Sequence, residues 1–168
     1  GGRLAKDPPE AVRHVWDQSA RSWSPAEWAL RFAWNQPGIS TVVCDMTTMT
    51  DLEQDVRIAD EADIDGLSVM EEVTIGKARD AFRKNRSVPC PSCRPCMPCP
   101  MGIDVPRFFE VYNDAVIYDD VETARGICFD EQIHPEVCTE CRICEGRCAK
   151  RLPIVDWLNR GREFLGFD

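Results

Sequence analysis

Apolar residues recur at helical spacing along most of this chain, and one short stretch reads instead as a strand. Pro8, Pro9 and Glu10 open a predicted helix between Asp7 and Ala20, with Val12, Val15 and Trp16 on one side. The next start signal is stronger. Ser24-Pro25-Ala26-Glu27 joins a capping box to a proline at the first helical position, and predicts a helix to about Gln36, where Pro37-Gly38 stops it. Its polar stripe is narrow: Glu27, Arg31 and Asn35. Ala26, Trp28, Ala29, Leu30, Phe32, Ala33 and Trp34 cover the rest, and a helix apolar nearly all round expects burial on several sides.

Ile39 to Asp45 is a β-branched run between Pro-Gly and Thr-Thr, which predicts a strand. Thr50-Asp51-Leu52-Glu53 reads as another capping box, opening a helix to about Ala62 with Leu52, Val56 and Ala59 facing inward. Ser68-Val69-Met70-Glu71 caps a further helix to about Lys84. Helix, strand and helix in this order suggest a βα-type unit lying against a larger sheet or barrel. Beyond that point the pattern is helical. Asp104 caps a helix whose Val105, Phe108, Phe109, Tyr112 and Val116 form one stripe. A helix from Asp119 to about Glu131 places Val121, Ala124 and Cys128 on one face, and Pro153 begins a last helix carrying Ile154, Leu158 and Leu165.

Composition divides this mostly helical chain near Val88. Residues 1–87 hold one cysteine, Cys44, and four of the five tryptophans; the other nine of the ten cysteines come later. The net charge is −9 and both halves are acidic, which argues against nucleic acid or an anionic membrane surface as partner. No apolar run approaches the ~20 residues of a membrane span. The chain opens Gly1-Gly2-Arg3-Leu4 without methionine, which reads, with the nearly all-apolar Ser24 helix, as a segment of something larger.

Eight cysteines fall in two compact runs, Cys90-x2-Cys93-x2-Cys96-x2-Cys99-Pro100 and Cys138-x2-Cys141-x2-Cys144-x3-Cys148. Cysteine at every third position wraps one inorganic cube, so that three sulfurs reach three irons and the fourth ligand comes from elsewhere. In two-cluster ferredoxins it comes from the last cysteine of the other run. Crossed ligation of that kind predicts Cys90, Cys93, Cys96 and Cys148 on one 4Fe-4S cluster, and Cys99, Cys138, Cys141 and Cys144 on the other; uncrossed ligation would leave each run on its own cluster. Disulfides suit small secreted proteins, and thiols this close together lack bridging geometry. Structural zinc favours paired knuckles across a longer spacer, or histidine, of which there are two, His14 and His134. Prolines 89, 91, 95, 98 and 100 keep the first run from becoming helical. The second run carries Ala149 where a trailing proline is usual. Thiolate ligands imply a reducing compartment, most simply the cytoplasm. Cys44 and Cys128 read as small core residues, His134 as a loop residue, and the tryptophans as packing anchors. No internal repeat is visible beyond the two runs.

Several segments resemble a known family. Ser24-Pro25-Ala26-Glu27-Trp28-Ala29-Leu30-Arg31-Phe32, Asn35-Gln36-Pro37-Gly38-Ile39 and Thr41-Val42-Val43 resemble the seventh helix and eighth strand of aldo/keto reductases. The two cysteine runs resemble the C-terminal extension of that family's iron–sulfur branch. The resemblance implies the last two units of a (β/α)8 TIM barrel over residues 1–87 and an α-helical ferredoxin-like 4Fe-4S domain over 88–168. It implies an oxidoreductase whose two clusters pass single electrons between a redox partner protein or flavin-containing donor and an active site on the rest of the reductase barrel. The family's catalytic Asp, Tyr, Lys and His belong to earlier strands, so no catalytic residue carries over onto this segment. Its nicotinamide site uses the loop after the last strand. Here Asp45-Met46 occupy that place and Asp51 stands where many members have arginine; two acids would repel a 2′-phosphate, leaving NAD or no nicotinamide. Hydride transfer moves two electrons and a cubane one, so a flavin or radical step would have to join them. Two other classes use the same cysteines: a ferredoxin-like electron carrier without its own catalysis, and a protein stapled by structural metal such as zinc.

Overall fold

The computed structural model describes residues 3–167 and divides into two compact units, Gly1–Lys84 and Asn85–Asp168. Both are helical, and among the described residues there is no strand. None of their helices is long and apolar enough to cross a membrane.

The first unit contains α1 (Arg3–Lys6), α2 (Glu10–Asp17), α3 (Pro25–Trp34), α4 (Met49–Glu61) and α5 (Val69–Lys84). The α1 helix lies against α3, α3 against α4, and α2 against α5. Ser24 caps α3 as its sequence predicts, its Oγ accepting from the Glu27 N–H at 3.1 Å. The Glu27 carboxylate, however, does not return to the cap. It turns to Arg31, 2.8 Å away, and Arg31 also reaches Glu61 at 2.6 Å. The predicted polar stripe of α3 is thus buried along with Trp28 and Leu30: Glu27 and Asn35 are nearly inaccessible, and the Asn35 Oδ1 accepts the Leu67 N–H at 2.9 Å. Phe32, from the apolar remainder, is about half exposed. Trp28 forms the apolar centre, stacked on Trp16 at 4.8 Å and edge-on to Trp23 at 4.7 Å.

Two expectations fail in this unit. Ile39 to Asp45 is irregular chain, with Val43 94% exposed. A β-branched run becomes a strand only beside another strand that takes up its N–H and C=O groups, and no described segment offers one. Cys44 is therefore only partly buried and lies outside any sheet. The capping box of α4 also sits two residues earlier than predicted, at Thr48 and Asp51, which exchange both side-chain-to-backbone bonds at 3.1 Å. Ile58 is fully inward and Gln54 reaches the Ser24 Oγ, 2.7 Å away, while Leu52, Val56 and Ala59 face outward. At α5 the reciprocal box forms at Ser68 and Glu71, and the buried Glu71 also accepts from Arg21 at 2.5 Å.

The second unit contains α6 (Val105–Tyr118), α7 (Val121–Asp130), a 3₁₀ turn (Pro135–Val137), α8 (Ile143–Arg147) and α9 (Ile154–Leu165). Its core is Val105, Phe108, Phe109 and Tyr112 of the predicted α6 stripe with Ala124 and Cys128 of α7 and Ile154, Leu158 and Leu165 of α9, all buried, while Val116 is partly buried against it. Side-chain caps at Asp104 and Asp120 start α6 and α7. The α9 helix starts at Pro153, which has no side chain to cap with; instead Glu145 reaches over from α8 and accepts the Val155 N–H at 2.9 Å. Arg107 binds both oxygens of Glu131 at 2.7 and 2.8 Å, tying α6 to the end of α7. Asn113 is buried in α6 and holds Val88 at both ends of its peptide, accepting from its N–H at 2.8 Å and donating to its carbonyl at 2.9 Å. That clamp fixes the chain two residues before Cys90.

Contrary to the sequence reading, the repeat extends past the cysteines. Cys99 stands six residues before Val105, and Cys148 six before Ile154; Val105, Phe108 and Phe109 then correspond to Ile154, Trp157 and Leu158. A one-residue difference in spacing, x2 before Cys99 and x3 before Cys148, hides the match. Gly161 stands where the repeat has Tyr112, and it lets α9 approach α6. A Cβ there would lie 2.7 Å from the ring of the fully buried Phe108. Gly161→Ala is expected to destabilise the second unit by about 1–3 kcal/mol, read from denaturant midpoints, because that ring has nowhere to move. An unchanged midpoint would mean the helix contact is looser than described.

Candidate metal centres

The two cysteine runs share a backbone path around their second cysteine and at their exits, although only the second forms a helix, α8, between them. In the first, Ser92 and Arg94 flank Cys93 with φ of 55° and 67°; in the second, Glu140 and Arg142 flank Cys141 with φ of 55° and 56°. These are left-handed conformations in non-glycine residues, each costing about 1–2 kcal/mol. The Met97 N–H donates to the Arg94 carbonyl at 2.9 Å, and its counterpart Glu145 donates to Arg142 at 3.1 Å. Three residues after the last cysteine of each run the chain again turns left-handed, at Gly102 (φ 79°) and Arg151 (φ 50°). Both close a turn back to that cysteine's carbonyl, at 3.0 and 2.9 Å.

This shared path folds each run around a pocket, and the last cysteine of each run leaves for the other pocket. One pocket is lined by Cys90, Cys93, Cys96 and Cys148, with Val105 and Phe109 of α6 and Leu152 and Ile154 at the start of α9. The other is lined by Cys99, Cys138, Cys141 and Cys144, with Met101, Val105, Val155 and Leu158. Each has an empty volume of about 320 Å³, part of it open to solvent. Val105 belongs to both walls, so one apolar side chain stands between the two sets of thiols.

Exposure is graded in the same way in both quartets. The second cysteine of each run, Cys93 or Cys141, is exposed, and the third, Cys96 or Cys144, is buried. Burial pushes the Cys144 thiol up to about 11, and raises Cys90 and Cys96 as well. In the first quartet, Cys93 and Cys148 also act electrostatically on both Cys90 and Cys96, because four thiolates facing one space would repel. Such a set ionises together only around positive charge, and soft thiolate donors select zinc, copper(I) or iron–sulfur clusters. Among the described residues, no three His, Cys, Asp or Glu side chains meet closely enough to hold a single ion.

Both pockets also contain an arginine that the sequence reading passed over. Arg94 lines the first and Arg142 the second, each directly after the exposed cysteine. Their equal offset from Cys93 and Cys141 was a usable signal once the two runs were aligned. The remaining cysteines lie elsewhere. Cys128 is fully buried among α6 and α7 residues and its thiol is pushed up to about 11 by that burial; Cys44 is in the first unit. His134 is exposed in a loop, 3.0 Å from Glu136. Asp45 and Asp51 are exposed, and Asp51 is occupied with the cap of α4.

No family model, curated protein or solved structure matches this chain.

Proposed function

We propose that the Asn85–Asp168 unit carries two 4Fe-4S clusters and moves single electrons, one cluster on Cys90, Cys93, Cys96 and Cys148 and the other on Cys99, Cys138, Cys141 and Cys144. The observation that carries this reading is the sorting of the eight thiols into two quartets, each with three cysteines from one run and the fourth from the other. Four soft donors around an apolar-walled space fit a cubane, whose irons take one thiolate each. A mononuclear zinc site would draw four sulfurs to about 2.3 Å from one point. The chemistry the clusters would supply is one-electron transfer; the chain's own part is to hold the thiolates, exclude water with Val105, Phe109 and Leu158, and leave one edge of each site near solvent at Cys93 or Cys141.

The wider role we propose is an oxidoreductase of the aldo/keto reductase type, in which this unit feeds or drains electrons at a barrel active site in the cytoplasm. That part is carried by the likeness of Ser24–Ile39 and the cysteine runs to the iron–sulfur branch of that family. Its partners would be the rest of the barrel and a flavin-containing or protein redox donor.

Anaerobic purification or reconstitution should give a brown protein with about eight iron and eight sulfide per chain. A colourless protein holding zinc alone would leave only the structural-metal reading. Cys141→Ser should lose about half of the iron, and full retention would show the ligand assignment to be wrong. The crossing has its own signature. Cys148→Ser should alter the same EPR signal as Cys96→Ser, although Cys144 is its nearer neighbour in sequence. If it altered the signal that Cys144→Ser alters, the last cysteines would serve their own runs.

A further inference from the structure

The left-handed arginines after the exposed cysteines have no role in building the core, yet both occupy equivalent places against a pocket. Glycine is the residue that conformation favours. Each guanidinium is held by acids from the start of the next helix or its approach. Arg94 binds Asp104, the cap of α6, at 2.6 Å; Arg142 binds Glu145 at 3.2 Å and stands 4.0 Å from Asp156 in the first turn of α9. Each side chain thus runs from the cysteine loop toward the adjoining helix start. Both are more than half exposed, so they sit at the solvent edge of the pockets. Acids also act on these sites: Glu110, itself 3.2 Å from Arg107, on Cys90, and Glu145 on Cys144.

We propose that Arg94 and Arg142 are potential-setting residues, each holding a fixed positive charge at the exposed edge of one cluster and raising that cluster's reduction potential. The inference rests on the two-cluster reading above. Its physical basis is charge. A cubane on four thiolates is anionic, and accepting an electron adds a further negative charge. A guanidinium cannot lose its proton at any working pH, so its field favours the reduced form throughout. Without it, the neighbouring carboxylates would push the other way, Glu110 tempered only by its pair with Arg107. The salt bridges keep the flexible arginine at the pocket edge instead of out in solvent.

The test is an EPR-monitored redox titration of the anaerobically reconstituted full chain, reduced with dithionite. Arg142→Gln should move one half of the signal to lower potential, by roughly tenfold in the oxidised-to-reduced ratio, or about 59 mV for one electron. Arg94→Gln should move the other half by a similar amount. Arg→Lys at either site keeps the charge and should recover most of the shift. Arg→Gly relieves the left-handed backbone, so it should lower the potential as glutamine does without lowering the unfolding midpoint. A purely structural arginine would behave in the opposite way, moving stability and leaving the potential alone. Potentials that stay put in the glutamine variants, or a lysine variant that shifts as far as glutamine, would overturn the proposal and leave the two-cluster reading intact. So would failure of the Gln, Gly and Lys variants alike to take up iron, which would make the arginines assembly residues. A parent protein that takes up no iron at all would sink both together.

Discussion

Exchange of the last cysteine between the two runs is the constraint on which the second unit depends. Cys99 leaves its own run for the pocket of the second, and Cys148 leaves for the pocket of the first. Neither quartet can be completed by a run folding alone, so the two loops must be held in register by something else. The two helices that succeed them supply that register: α6 after Cys99 and α9 after Cys148, in contact through Phe108 and Gly161. The apolar core places the helices, the helices place the exchanged cysteines, and the exchanged cysteines close the pockets. Ligand binding by such a site is inseparable from folding, because the unfolded chain offers no preformed quartet.

The first unit is held together differently. Its centre is the Trp16–Trp28–Trp23 group, and around it lie two buried carboxylates: Glu27, paired with the nearly buried Arg31, and Glu71, paired with the exposed Arg21. Buried ion pairs add little net stability, since desolvation offsets much of their attraction, but removing one partner leaves a stranded charge. Arg31 also lies 4.6 Å from the Trp23 ring centre, so one guanidinium serves Glu27, Glu61 and the aromatic group at once. This explains why α3, which looks in sequence like a helix with one solvent stripe, turns that stripe inward.

How legible each feature was in the sequence depends on how local its signal is. The cysteine spacing, the caps at Ser24, Ser68 and Asp104, and the stripe from Val105 to Val116 depend on residues within a few turns of each other, and all appear in the structure. The strand at Ile39 to Asp45 did not form because a strand needs a partner, which no local pattern can supply. The start of α4 was misplaced because Thr48 and Thr50 both begin a plausible capping box, and its inward face because Ile58 lies off the face shared by Leu52, Val56 and Ala59 and only packing against the rest of the unit decides between them. The burial of the α3 polar stripe turned on Arg31 finding Glu61 thirty residues away, a tertiary contact. The extended repeat was missed for a simpler reason: one extra residue before Cys148 breaks a fixed-offset comparison.

The cysteine loops hold their backbone in a shape the chain itself disfavours. Five non-glycine residues in the runs or their exits are left-handed: Ser92, Arg94, Glu140, Arg142 and Arg151. At about 1–2 kcal/mol each, they sum to something comparable to the entire net stability of a small domain. The loops themselves offer little to offset it, since the prolines of the first remove N–H donors and Cys93, Arg94, Cys141 and Arg142 are exposed. The compensation has to come from the apolar contacts of α6, α7 and α9 and, under the two-cluster reading, from the thiolate bonds. Under that reading, a loop shape unfavourable for the chain is compensated by what its four sulfurs would hold. The recurrence of that same unfavourable shape in two runs of different sequence makes a purely accidental origin in either one hard to sustain.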